Sequence, residues 1–248
     1  MGLTRRNLLV LGGAALGYGA LAGGFRLWPG SSLAFEPVSE PAGFRRIAGQ
    51  GVSLANAGLV GIGQGGGVPL PTGQGLCNMA FEGAESDQGR LAIASFSDFF
   101  CPYCRVLDMQ LHDIVKDMPQ VRTVWHQVPL LGRPSQLAAR GALAAMEQGA
   151  FEAYQARLTR TSFVPTPAYL RAFASETGLD TDQFMAALND AETQAKLARS
   201  AAAFRAFGFA GTPGLVVGRT LVNGVISERD LRVLVADELA GPAPEACV

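Results

Sequence analysis

Residues 91–116, LAIASFSDFFCPYCRVLDMQLHDIVK, decide how this chain is read. Leu91 to Ser97 is apolar and small in character, and reads as a buried strand that ends at Asp98-Phe99-Phe100. Cys101-Pro102-Tyr103-Cys104 follows at once. Beyond it Val106, Leu107, Leu111, Ile114 and Val115 recur at helical spacing, predicting a helix with one apolar face through Lys116. Pro102 suits the first helical position, where its missing N–H leaves nothing unpaired.

Downstream, Thr123 to Val128 reads as a second strand closed by Pro129 and Gly132. Residues 135–207 read as a run of short helices, broken at Gly149 and Gly178, with Thr166-Pro167 as a cap and first-turn proline. Gly208 suits the position just past the last of them. Leu215-Val216-Val217 and Thr220-Leu221-Val222 flank Gly218-Arg219 as a hairpin, and Ser227-Glu228-Arg229-Asp230 opens a final helix through about Leu239 as a capping box. This order predicts a mixed α/β domain with a helical insertion.

Upstream, three kinds of material succeed one another. Met1 to Arg6 is short and basic, Leu8 to Ala22 is uncharged and apolar, and Ala20-Leu21-Ala22 offers a cleavage site. That is the layout of a bacterial export signal, residues 1–22, and the pair Arg5-Arg6 resembles the twin-arginine type. Its apolar stretch is short for a membrane span; left uncleaved, it would tether the chain. Either way the body is expected outside the cytoplasm, in the periplasm. Residues 23–75 are rich in Gly and Pro and read as an N-terminal extension. Gly61-Ile62-Gly63-Gln64-Gly65-Gly66 matches a dinucleotide fingerprint formally, but Val68-Pro69-Leu70-Pro71 blocks the helix that such a motif must open.

Of the 248 residues, 48% are hydrophobic and 17% charged, which excludes general disorder. The net charge of −1 and the lack of a long basic run argue against nucleic acid as a partner.

A C-x-x-C pair between a strand and a helix has specific chemistry. The first sulfur sits where unsatisfied N–H groups and the helix dipole favour an anion, so its pKa falls below the free value. A low-pKa thiolate leaves readily, and stabilising the reduced form makes the disulfide a stronger oxidant. Cys101 is then the attacking and attacked sulfur, and Cys104, one turn on, the resolving one. Zinc would need four ligands, and His112 and His126 do not supply a second matching pair. No metal or organic cofactor is called for.

The block Phe96 to Cys104, with Val128-Pro129-Leu130-Leu131-Gly132 and Gly211-Thr212-Pro213-Gly214, resembles the DsbA-like thiol–disulfide oxidoreductases. The resemblance covers roughly residues 88–240 and implies a thioredoxin-like fold with an inserted helical subdomain, placed here within residues 76–248. It also implies that Thr212-Pro213, with a cis bond, lies beside the disulfide and offers its backbone to an extended substrate. Pro102 and Tyr103, between the cysteines, are the residues expected to tune the pair.

The chain departs from the family at two positions. Ser95 stands where the family usually has a buried acid, and His126 where it often has lysine. His126 is therefore either the proton acceptor for Cys104, tuning the redox pair, or a hydrogen-bonded core histidine. Cys77 and Cys247, at opposite ends of the domain, are expected to form a structural bridge in an oxidising compartment.

The resemblance implies an exported protein that passes the Cys101–Cys104 disulfide to reduced or misfolded exported proteins through a mixed disulfide at Cys101. A membrane redox partner, quinone-linked in the family, would reoxidise it. Two alternatives stay open: a disulfide isomerase or reductase working from the dithiol, and a non-catalytic chaperone-like binding module.

Overall fold

The computed structural model describes residues 33–49, 70–82, 89–160, 164–242 and 247. The expected export signal and the Gly61–Gly66 motif lie outside them. No helix among the described residues is long and apolar enough to cross a membrane.

Six strands form one sheet. They are β1 (Phe35–Pro37), β2 (Arg45–Ile47), β3 (Leu91–Ser97), β4 (Val121–Gln127), β5 (Gly214–Val217) and β6 (Thr220–Asn223), in the spatial order β1-β2-β6-β5-β3-β4. β3 lies between β4, parallel to it, and β5, antiparallel to it. The chain crosses from β3 to β4 through helix α2 (Pro102–Asp117), as a parallel pair requires. Helices α3 (Arg133–Glu147), α4 (Phe151–Arg160), α5 (Pro167–Glu176), α6 (Thr181–Ala187) and α7 (Ala191–Ala206) all fall between β4 and β5. This is the mixed α/β architecture, a thioredoxin-like fold with a helical insertion.

Local signals act as the sequence suggests. The Thr166 hydroxyl accepts the Tyr169 N–H at 3.1 Å to open α5, and the Ser227 hydroxyl accepts that of Asp230 at 3.1 Å to open α8 (Glu228–Ala240). Gly149 and Gly178 take φ of 70° and 73° just past helix ends, the left-handed conformation that favours glycine there.

The two faces of β3 are chemically distinct because side chains alternate along a strand. Ala94 and Phe96 point into a core with Leu76, Phe204, Phe207 and Phe209, covered by α1 (Gly73–Ala80) and α7. Ser97 points to the other face, where its hydroxyl meets Asp108 of α2. Arg232 of α8 bonds Asp117 at the end of α2 at 2.8 Å. A second core, built on Tyr154, Phe173, Phe184 and the alanines of α3, fills the helical insertion.

Two features tie the chain's early residues to the domain. The stretch 23–75, read from sequence as an unpatterned extension, contributes the hairpin β1–β2 to the sheet. β2 runs parallel to β6, pairing Arg45 with Thr220. The Arg45 guanidinium reaches Thr220 Oγ1 at 2.8 Å and Glu238 of α8 at 2.6 Å, and also bonds Asp237. Glu238 is almost wholly buried and accepts the Thr220 hydroxyl at 2.6 Å and the Arg219 N–H at 3.0 Å. Strands of three residues are too short to show a period, and their pairing partner lies 175 residues away.

The second tie is covalent. Cys77 of α1 is bonded to Cys247 across 170 residues of sequence, with the Cα atoms 5.4 Å apart. Cys77 is buried in the Phe96 core, so the bridge anchors the far end of the chain against that face. In a background with Cys101 and Cys104 both changed to serine, adding Cys77→Ser and Cys247→Ser should lower unfolding free energy by about 2–4 kcal/mol in urea. An unchanged midpoint would show that the bridge is absent in solution.

Candidate active site

The site begins with how β3 stops. Asp98, buried at the strand's end, spends its carboxylate on three backbone N–H groups. Oδ1 accepts that of Phe100 at 2.8 Å, and Oδ2 those of Leu130 and Leu131 at 2.7 and 3.0 Å. Its carbonyl accepts the Cys101 N–H at 2.9 Å. One side chain thus fixes the turn into α2 and the loop after β4 together. Sequence reading took Asp98 only as a strand terminus; three N–H partners on two loops are not visible in a one-dimensional pattern.

Cys101 is the N-cap of α2, in extended conformation at φ −81° and ψ 116°, with Pro102 at the first helical position. Its Sγ accepts the N–H of Cys104 at 3.3 Å, the bond that a capping hydroxyl makes elsewhere. Across the sheet edge, the Thr212 carbonyl lies 3.4 Å from the same sulfur, in contact with the thiol. The Thr212–Pro213 bond is cis. Phe209 folds over the next residue: a Cβ at Gly214 would come within 2.9 Å of its ring, so glycine is required there.

The two sulfurs are unequal. Cys101 keeps 5% of its surface exposed, whereas Cys104 keeps none. The Cys104 thiol, hydrogen-bonded to Cys101, lowers the Cys101 pKa from 9.0 to about 6 against the opposing effect of burial. The N–H groups of Cys104 and Tyr103 and the side chain of Thr212 assist. Burial drives Cys104 the other way, far above the ordinary thiol range, and the neighbouring Cys101 adds to it. The arrangement holds one thiolate at the mouth and one protonated thiol behind it, as nucleophilic attack followed by resolution requires.

Around the mouth, Tyr103, Val106 and Met109 are exposed along one row of α2, and Leu131 is exposed on the loop that Asp98 holds. Val106 was expected on the buried face; the register of α2 instead buries Leu107, Asp108, Leu111 and Ile114.

His126 is not part of this site. It pairs in register with Phe96 on β4 and stacks on that ring with centroids 4.6 Å apart, on the α1/α7 face of the sheet. Its Nε2 lies 2.9 Å from the Ala80 carbonyl and its Nδ1 3.2 Å from Ser200 Oγ. The redox-tuning role expected for it is thereby corrected, because strand alternation sends residue 126 to the face opposite α2. Burial lowers its pKa, so the ring is a neutral, hydrogen-bonded core residue. Ser95 is buried, with no hydrogen-bond partner for its hydroxyl among the described residues. His112 lies 2.9 Å from Gln155 and beside Trp125.

A strand–CxxC–helix junction opposed by a cis-proline turn, on a thioredoxin-like sheet, defines a thiol–disulfide oxidoreductase. Residues 92–235, more than half of the chain, match the model of the DSBA-like thioredoxin domain. The chain belongs to that family. Among solved structures it is similar to a thioredoxin-like oxidoreductase from Silicibacter pomeroyi, at 32% identity and TM-score 0.61 over 66% of this chain and 98% of that one. It is also similar to ScsC of Proteus mirabilis, at 26% identity and TM-score 0.54 over 61% of this chain and 69% of that one. A curated relative, Na(+)/H(+) antiporter NhaA 3 of Salinispora tropica, is 33% identical over 129 residues, 51% of this chain. The chain spans only 20% of that antiporter's length.

Two outcomes check this geometry. Asp98→Ala, which strands three N–H groups, should lower stability by roughly 2–4 kcal/mol in chemical denaturation. His126→Ala should also destabilise the fold, yet its single-turnover exchange rates from pH 5 to 8 should match the parent; a changed pH profile would return the ring to the redox machinery.

Proposed function

We propose that the protein is an oxidant, passing a Cys101–Cys104 disulfide to reduced protein thiols through a mixed disulfide at Cys101. The observation that carries this reading is the position of the Cys101 sulfur as the N-cap of α2, accepting the Cys104 N–H at 3.3 Å, which favours its thiolate. A substrate thiolate attacks the Cys101 sulfur and expels Cys104; Cys101 later departs from the substrate as a stabilised thiolate. Because the reduced form gains that stabilisation and the disulfide does not, electrons flow toward this protein.

Thr212-Pro213 supports the reading by its position: an extended chain laid along that edge would bring its cysteine to Cys101. The exposed Tyr103, Val106 and Leu131 offer such a chain apolar contact. Pro102 and Tyr103 tune the pair through the N-terminal turn of α2. The export-signal pattern of residues 1–22 supports a site of action outside the cytoplasm, in the periplasm. Reduced exported proteins are then the substrates, and a membrane partner, quinone-linked as in the family, the reoxidant.

The potential of the Cys101/Cys104 couple against glutathione tests the direction. An oxidant should equilibrate near about −120 mV, whereas a value near about −270 mV would make the protein a reductant. Refolding of a scrambled disulfide substrate by the dithiol form would identify an isomerase. A Cys101→Ser variant that keeps full activity would leave only a binding module.

Stability provides an independent check. The folded pKa of Cys101, about 6, lies below its ordinary value of 9.0, so the reduced protein is stabilised fully above pH 9 and loses that gain as pH falls through 6. The stability of the reduced form relative to the disulfide form should therefore rise from pH 6 to 9 in paired denaturant titrations. A flat difference would contradict the thiolate.

A further inference from the structure

Expulsion of Cys104 from the disulfide leaves a thiolate in a place that disfavours one. That sulfur is fully buried and its pKa is driven far up, so the step needs a proton delivered inside the protein. The positions where the family usually carries its acid and lysine hold Ser95, which has no titratable group, and His126, which faces the opposite side of the sheet.

Another acid is present. Asp108 follows Cys104 by four residues on α2, so the two side chains share one face, with Cβ atoms roughly 5–6 Å apart. It is 2% exposed, on a helix face otherwise made of Cys104, Leu107, Leu111 and Ile114. Its Oδ2 accepts the Ser97 hydroxyl at 3.0 Å, and the Gln155 side chain also interacts with the carboxyl. A carboxyl buried on an otherwise apolar helix face is costly to keep for packing alone.

We propose that Asp108 is the proton-exchange partner of Cys104. In the oxidising direction a substrate thiolate bonds to Cys101 Sγ, the Cys101–Cys104 bond breaks with its electron pair on Cys104 Sγ, and the Asp108 carboxyl protonates that sulfur. The products are the mixed disulfide, the Cys104 thiol and the Asp108 carboxylate. In reverse, Asp108 takes the proton as Cys104 attacks Cys101 Sγ and the substrate thiolate departs.

The surroundings suit the task. Burial raises the Asp108 pKa from 3.8 to about 7, and the Cys101 charge adds to that rise. The Ser97 hydroxyl from β3 and the Gln155 side chain from α4 oppose it. From α2 itself, Arg105 bonds the Leu158 and Thr159 carbonyls and His112 meets Gln155, so both face α4. β5 carries no titratable residue. β4 presents Trp125, beside His112, on this face. A carboxyl poised near neutrality can both give and take a proton at working pH.

This inference rests on the exchange reaction proposed above, and the experiment separates the two. The mixed disulfide of Cys101 with glutathione is prepared in the full chain, and release of glutathione by Cys104 is followed by stopped flow from pH 5 to 9. The parent should show an inflection near pH 7. Asp108→Asn should lose that inflection and slow release by about 100-fold at pH 7.5. Asp108→Glu should restore part of the rate. Far-UV circular dichroism and a thermal melt report whether the variants are folded.

If the parent releases glutathione and Asp108→Asn matches it within twofold, Asp108 is not the partner and the exchange reading survives. If the parent itself releases none, both fall. Should Asp108→Asn not fold, carbon-13 NMR titration of the Asp108 carboxyl in the parent decides. A midpoint near neutrality that moves between dithiol and disulfide forms supports the role, and an ordinary carboxylate midpoint in both overturns it.

Discussion

The N–H of Cys104 points at the sulfur of Cys101 across 3.3 Å, where a serine or aspartate oxygen would normally close the first turn of a helix. By using sulfur as the cap, the chain makes helix formation and thiolate stabilisation the same event. An acceptor there satisfies an N–H that the helix leaves unpaired, and the anion is the better acceptor. Pro102 has no N–H to compete for the sulfur. The asymmetry between the two sulfurs follows, because the residue one turn into a buried helix face loses its water and faces the Cys101 charge.

Holding that geometry is the task of the sheet. β3, fifth in the strand order, is paired on both sides and delivers Cys101 from its end. Asp98 converts the end of the strand into a bracket for two loops, and the β5 end that carries Thr212-Pro213 is in register with β3. The faces divide the work. The face under α2 holds the polar groups that serve the thiols, Ser97 and Asp108. The opposite face holds the Phe96 core, the neutral His126 and the Cys77–Cys247 bridge, with the Arg45–Glu238 contact at the sheet's far edge.

The strand–CxxC–helix unit was legible because periodicity, a first-turn proline and a motif coincided within 26 consecutive residues. The helical insertion and the β5–β6 hairpin were legible for the same reason, each being marked by its own caps and turns. The hairpin at Phe35–Ile47 was not, since three-residue strands show no period and are held by an arginine whose partners lie near the other end of the chain. His126 stayed between two roles, proton acceptor or core histidine, because one step along a strand exchanges one face for the other; register puts it in the core. Asp108 had a signal that went unread: an acid four residues after Cys104, between Leu107 and Leu111 on the apolar side of the helix.

Residue order alone settled the class of fold, the redox motif and which cysteine begins the helix, because these depend on neighbours within a few turns of chain. Folding decided the rest: which face of α2 buries Asp108, which face the histidine takes, and that the early hairpin joins the sheet at β6. Each depends on distances set by sheet register and helix packing between residues far apart in sequence. Charge and proton affinity in a buried site respond to those distances, and no local pattern encodes them.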